Sequence, residues 1–179
     1  MELFDLYDAN RHPTGETMIR GTPVPEGRYR LVIHVCIFNS NGEMLIQQRQ
    51  SFKSGWPNLW DLTLGGCVTM GESSQEAARR ELSEELGLDA DFTGTPPAFT
   101  VTFHGGFDDY YILERDVDVN ALRLQYEEVQ GAKWAGIEEV FAMLDRSAFI
   151  PYKKAFLEFL FSRQKENRER ISIYQNIEE

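Results

Sequence analysis

The sequence predicts an α+β protein, on three observations: a nearly continuous apolar run at Leu31–Phe38, one sharply delimited helix at Ser74–Leu86, and helical patterning again toward the C-terminus. Strands first, one helix between and helices last is the order of an α+β sandwich. Leu3–Tyr7 mixes apolar and acidic residues and reads as a short strand. Asp8-Ala9-Asn10 and Pro13-Thr14-Gly15 supply turn residues, so Glu16–Arg20 completes an expected N-terminal hairpin. The strand Tyr29–Asn39 holds the apolar run, as a strand covered on both faces would. Asn39-Ser40-Asn41-Gly42 is a hairpin signal that returns the chain through Glu43–Gln50. Trp60–Leu64 reads as a further strand ended by Gly65-Gly66. The helix over 74–86 carries an S-x-x-E capping box at Ser73 and Glu76 and a glycine, Gly87, where a left-handed stop belongs. Strands are then expected at Ala98–Phe103, Tyr110–Arg115 and Gly131–Trp134. Helices follow over Ile137–Leu144 and Tyr152–Asn167, the last with a stripe of Phe156, Leu157, Leu160 and Phe161.

A chain of 179 residues is enough for one domain with a real core. No repeat or linker-like tract divides it, so residues 1–179 are taken as a single domain, with 1–28 as an N-terminal β extension and 152–168 as the C-terminal helix. The apolar fraction of 42% and charged fraction of 26% are ordinary for a globular protein. A net charge of −11 argues against a nucleic-acid coat, whose affinity comes from neutralising phosphates. It leaves room for a phosphorylated small molecule when a metal ion supplies the positive charge. Cys36 and Cys67 are too few for a disulfide framework. No apolar run approaches the ~18 residues of a membrane span, and Met1-Glu2-Leu3-Phe4-Asp5 lacks the basic and apolar regions of a signal peptide. The expected setting is the reducing cytoplasm, with no membrane or nucleic-acid partner.

The informative segment is residues 66–88, GCVTMGESSQEAARRELSEELGL. On a helix of about 100° per residue, Glu81, Glu84 and Glu85 fall on one side, with Leu82 and Leu86 on the adjacent one. Such crowding costs about 0.2–0.5 kcal/mol per like-charged pair. A hard divalent cation relieves it, because Mg²⁺ prefers carboxylate oxygens and completes its shell with water and substrate phosphates. Arg80 can orient a carboxylate through a two-pronged hydrogen bond, and Glu72 lies just before the helix. Gly65-Gly66 lets the backbone come close, so a carbonyl there is an additional candidate ligand. A solvated, glutamate-rich helix face is the bland alternative. The full spacing decides between them. Gly66, Glu72, Arg80, Glu81, Glu84, Glu85 and Gly87 are seven fixed identities, which chance supplies on the order of 10⁻⁸ per starting point.

That spacing, with Leu82 and Leu88 at the two apolar positions, resembles the Nudix box at every defined position. The resemblance implies the Nudix fold, a mixed β-sheet between helices, with the box as a loop–helix–loop over 66–88. It implies hydrolysis of a nucleoside diphosphate linked to another moiety, with Mg²⁺ or Mn²⁺. Glu81, Glu84 and Glu85 resemble the family's metal ligands, Glu72 and Arg80 its supporting carboxylate and arginine, and Gly66 its loop glycine. A carboxylate would take the proton from the attacking water; Glu81 and Glu128 are the candidates, with Glu127 a neighbouring substitute for Glu128. A homodimer is a further expectation, since many family members pair.

Outside the box, Leu45-Ile46-Gln47-Gln48-Arg49, Lys53 and Trp56-Pro57-Asn58-Leu59-Trp60 resemble the branch containing isopentenyl-diphosphate isomerase, and residues 5–15 resemble the N-terminal segment of hydrolases near it. Arg49 and Lys53 are candidates for holding the diphosphate, while Trp56 and Trp60 read as core or loop-packing residues. Isomerase chemistry fits poorly. Gly65 stands where the isomerase has its acid/base cysteine, Cys67 stands where it has a metal-binding histidine, and Phe107-Asp108-Asp109-Tyr110 does not match its later glutamate motif. His34 reads as a satisfied core histidine and Cys36 as a small buried residue. His104, Asp108 and Asp109 are expected on a turn or loop. Two functions are therefore carried forward: a hydrolase of a small diphosphate compound, and a non-catalytic Nudix-like nucleotide sensor.

Overall fold

The computed structural model describes residues 2–175, with side chains as far as Gln164. It separates into two compact units, each assembled from several stretches of chain. The first comprises Met1–Cys36, Leu64–Tyr111 and Arg123–Gln125. Here β1 (Leu3–Tyr7) and β2 (Pro13–Ile19) form the expected antiparallel hairpin, in register Phe4↔Met18 and Asp5↔Thr17. Phe4, Leu6 and Met18 bury their side chains together, with Val24 and Cys67 packed against them. The strand β3 (Arg30–Phe38) pairs antiparallel with β6 (Leu64–Cys67), Ile33 opposite Gly66 and His34 opposite Gly65.

This pairing corrects one expectation. Gly65-Gly66 do not end a strand; they lie within β6, and the preceding strand β5 is only Trp60–Asp61. The reason is tertiary: the β3 ladder claims the glycine backbone, and bare backbone is what lets His34 and Glu81 press against opposite sides of it. A Cβ on Gly65 would stand 2.8 Å from His34 Nδ1, and one on Gly66 would overlap the Glu81 carboxylate.

The helix α1 (Ser74–Leu86) is bounded as its caps dictate. The Ser73 side chain accepts from Glu76 N, Glu76 returns a bond to Ser73 N, and Gly87 stops the helix at φ 67°. Arg123 N and Gln125 N then donate to Leu86 O and Glu85 O, tying down the C-terminal turn. The strands β7 (Phe99–Phe103) and β8 (Gly106–Glu114) form a tight antiparallel hairpin closed at Phe103↔Gly106. Asp108 and Asp109 therefore belong to a strand, and only His104 and Gly105 make the turn. Asp109 is fully buried, because Arg11, Thr100 and Ser74 all donate to it. His34 is packed as expected: it stacks on Tyr110 with centroids 4.6 Å apart, and its Nε2 lies 3.7 Å from Asp108.

The second unit comprises Ile37–Thr63, Ile112–Leu122 and Tyr126–Glu179. Its frame is β4 (Met44–Arg49), which pairs antiparallel with β9 (Val129–Ala135) over Met44↔Ala135 to Arg49↔Val129 and with β5 at Gln47↔Asp61. Asn39 Oδ1 accepts from Asn41 N and Glu43 N, closing the β3–β4 turn. The helix α2 (Ile137–Asp145) buries Val140 and Met143. The helix α3 (Lys154–Gln175) begins two residues later than the sequence pattern suggests and buries Leu157, Leu160 and Phe161, with Phe161 edge-on to Phe38. Trp60 carries Lys133 over its ring, whereas Trp56, at φ 53° on a loop, remains half-exposed rather than core.

Candidate active site

The box loop and α1 bring Glu72, Glu81 and Glu84 together around the Arg80 guanidinium, with Gly66 against the Glu81 side chain. Arg80 Nε donates to Glu72 Oε1 at 2.8 Å and Nη2 to Oε2 at 2.9 Å. Its Nη1 lies 3.0 Å from Glu81 Oε1 and 3.3 Å from Glu84 Oε2, and Nη2 also reaches the Cys67 carbonyl at 3.2 Å. The helix geometry explains the set, since residues 80 and 84 share a face one turn apart and Glu72 folds back from the N-terminal loop. Thr69 holds Glu72 from the other side, donating from N and Oγ1 at 3.1 and 2.9 Å. Neither Thr69 nor the Cys67 carbonyl was picked out by the sequence, because a backbone acceptor and a turn threonine carry no pattern of their own.

The electrostatics divide the carboxylates. Burial is the largest influence on Glu72 and pushes its pKa up, but the hydrogen bonds from Arg80 and Thr69 together outweigh it and leave it lowered. Burial likewise pushes Glu81 up, and there the Arg80 charge does not compensate, so Glu81 stays raised. The hydrogen bond to Glu72, joined by the Glu81 charge, holds Arg80 more firmly protonated than usual. Glu85 is buried (5% exposed), as are Ala78, Leu82 and Leu86 on the same helix. Glu84 is the exposed member.

Among the described residues, no three acidic, histidine or cysteine side chains converge as a ready cation cage; Arg80 lies among the carboxylates instead. The donor chemistry nevertheless suits a hard divalent ion. Glu72, Glu81 and Glu84 lie within 3.3 Å of one guanidinium, the Cys67 carbonyl reaches the same guanidinium, and all four offer oxygen. The bare Gly66 leaves the space that Glu81 occupies.

In the second unit, Lys53 Nζ and Glu128 Oε2 form a 2.5 Å ion pair, so the candidate phosphate-binding lysine and the candidate base hold each other. Arg49 Nε donates to the Gly55 carbonyl at 3.0 Å, within the same loop. Cys67 is half-buried; burial pushes its thiol up, and Arg30 Nη1 donates to its sulfur at 3.1 Å.

A sequence model of the NUDIX domain matches residues 28–158. The chain belongs to the Nudix family. An uncharacterized Nudix hydrolase of Listeria monocytogenes is 49% identical to it over 162 residues, 90% of this chain and 95% of that protein. Isopentenyl-diphosphate Delta-isomerase of Escherichia coli K12 is 26% identical over 180 residues, 94% of each chain. A crystal structure from Deinococcus radiodurans matches with a TM-score of 0.71 at 25% identity, covering 90% of this chain and 98% of that one. The α+β Nudix fold and the membership in Nudix hydrolases that the sequence predicts are therefore shown. No helix of the described residues is long and apolar enough to cross a membrane.

Proposed function

We propose that this Nudix hydrolase cleaves the diphosphate linkage of a nucleoside diphosphate derivative or related small molecule, with Mg²⁺ or Mn²⁺. The observation that carries the reading is Arg80 gathering Glu72, Glu81 and Glu84 within one complete box. Glu81, Glu84 and Glu85 would hold the ion, with Glu72 and the Gly66 carbonyl in support. Such an ion polarises phosphoryl oxygens, acidifies bound water and stabilises the leaving phosphate. The chain's own part is to place and deprotonate. The water oxygen bonds to phosphorus as the bond to the leaving phosphate breaks, and its proton passes to a carboxylate, Glu81 or Glu128. Burial raises the pKa of Glu81 and so makes it a stronger proton acceptor than an ordinary exposed glutamate. Arg49 and Lys53 would hold the diphosphate, Lys53 exchanging Glu128 for phosphate oxygens. Arg80, fixed on Glu72, orients rather than reacts. A cytoplasmic homodimer completes the reading.

Hydrolysis is favoured over isomerisation by Gly65, which offers no thiol, and by Cys67, whose sulfur is engaged by Arg30 and whose pKa is raised. The test is phosphate release with Mg²⁺ across nucleoside diphosphates and triphosphates, nucleotide sugars, ADP-ribose and dinucleoside polyphosphates, with Glu85→Gln as control. Metal-dependent turnover of one class, abolished by the substitution, supports the hydrolase. A folded protein that binds one of these compounds without metal and never turns it over leaves the sensor.

A further inference from the structure

The whole N-terminal hairpin lies before residue 28, where the family match begins, yet it is tied to the box on both sides of Glu72. On the near side, Met70 N donates to Leu3 O at 2.8 Å and Gly71 N donates to Asp5 Oδ2 at 2.7 Å. On the far side, Ser74, the first residue of α1, donates from Oγ to Asp109 Oδ2 at 2.7 Å. Arg11 then grips Asp109 with both prongs, Nη1 to Oδ1 at 2.8 Å and Nη2 to Oδ2 at 2.7 Å. With Thr100 Oγ1 at 2.6 Å, the buried carboxylate accepts four hydrogen bonds, about the number its lone pairs allow. A saturated buried acceptor has one arrangement, so it transmits position rather than absorbing it.

The hairpin is built to aim Arg11. Its turn is an Asx turn, in which Asp8 Oδ1 accepts from Asn10 N and His12 N, and Arg11 N closes onto Asp8 O at 3.0 Å. This holds Arg11 at φ 64°, a left-handed conformation that a non-glycine residue adopts only when its surroundings enforce it. The guanidinium is further steadied over Phe107, 5.4 Å from the ring centroid. Ser74 is free for this link because Ser73, not Ser74, caps the helix.

We infer that the N-terminal hairpin is a brace for the hydrolytic box. Asp5 fixes the loop before Glu72, and Arg11 fixes the first turn of α1 through Asp109 and Ser74. These are positioning residues, and the inference rests on the hydrolase reading for its effect on turnover. The test uses the full chain with Asp5→Ala and Ser74→Ala, the conservative Asp5→Asn and Ser74→Thr, and Arg28→Ala. Arg28 serves as control because it pairs with Glu16 within the same N-terminal segment, away from the box. Mn²⁺ affinity is measured on the protein alone, and kcat and KM on whichever substrate the panel identifies. The alanine variants should weaken Mn²⁺ binding and lower kcat about ten- to hundredfold, as loss of supporting partners does. KM and melting temperature should stay near wild type, and the conservative variants should recover most of the loss. Unchanged Mn²⁺ affinity in both alanine variants overturns the brace, as does an equal loss in Arg28→Ala. If the wild-type protein releases phosphate from nothing, the hydrolase reading falls by itself, and Mn²⁺ affinity still decides the brace.

Discussion

Arg80 and Glu72 meet fork to fork, with two parallel hydrogen bonds of 2.8 and 2.9 Å across eight residues of chain. Lysine is a point charge and cannot make this contact, so Arg80→Lys tests whether orientation or charge matters. We expect kcat to fall at least about tenfold. A pH effect should accompany it. Glu72 titrates below its ordinary value of 4.5 in the folded chain, so its contribution to stability is present above that pH and is lost as pH falls through the folded pKa. Arg80→Lys should weaken that contribution and move the acid-unfolding midpoint, followed by circular dichroism, to higher pH. An unmoved midpoint would show that Arg80 does not hold Glu72 ionised.

Glu81 has the opposite sign. Its folded pKa lies above 4.5 because burial disfavours the charge. The folded chain therefore binds its proton more tightly than the unfolded one, and that stability is lost as pH rises through the raised value. In metal-free protein, Glu81→Gln should raise the melting temperature at pH 8 and change it little at pH 4; with Mg²⁺ added, the variant should show no turnover. A lower melting temperature at pH 8 would mean that the Arg80 contact outweighs desolvation.

Gly66→Ala asks how tightly the box is drawn. The added methyl would overlap the Glu81 side chain, a flexible neighbour that can swing away. Stability should fall by only about 1–3 kcal/mol, the usual cost of overpacking. Activity should fall much further, on the order of a hundredfold, because a misplacement near 1 Å costs that much. Denaturant unfolding and kcat measured on the same preparation separate the two. Proportionate losses would mean that Gly66 serves the fold alone.

What the sequence disclosed follows the range of each interaction. The helix α1 was legible to the residue because its determinants, Ser73, Glu76 and Gly87, are local. The contact of Arg80 with Glu72 was legible because the box is contiguous in the chain, whereas the burial of Glu85 carries no local signal. Gly65-Gly66 misled, since two glycines read as a stop, and only the β3 partner makes them strand. Asp109 was hidden for the same reason. Its principal partner, Arg11, lies 98 residues away, and a lone aspartate beside another near two glycines looks like a turn. The ion pair of Lys53 with Glu128 joins two residues for which the sequence suggests separate roles, and no local pattern links positions so far apart in the chain.

Arg80 also bears on the order of events in the life of the chain. Carboxylates crowded on one helix and its leading loop would repel one another in a nascent protein, yet here an internal counter-ion comes with the same helix. Folding would then not depend on a metal ion. The box takes shape on its own cation, so a divalent ion, if bound as proposed, would enter a scaffold already assembled, by competing with a guanidinium rather than by recruiting a disordered segment.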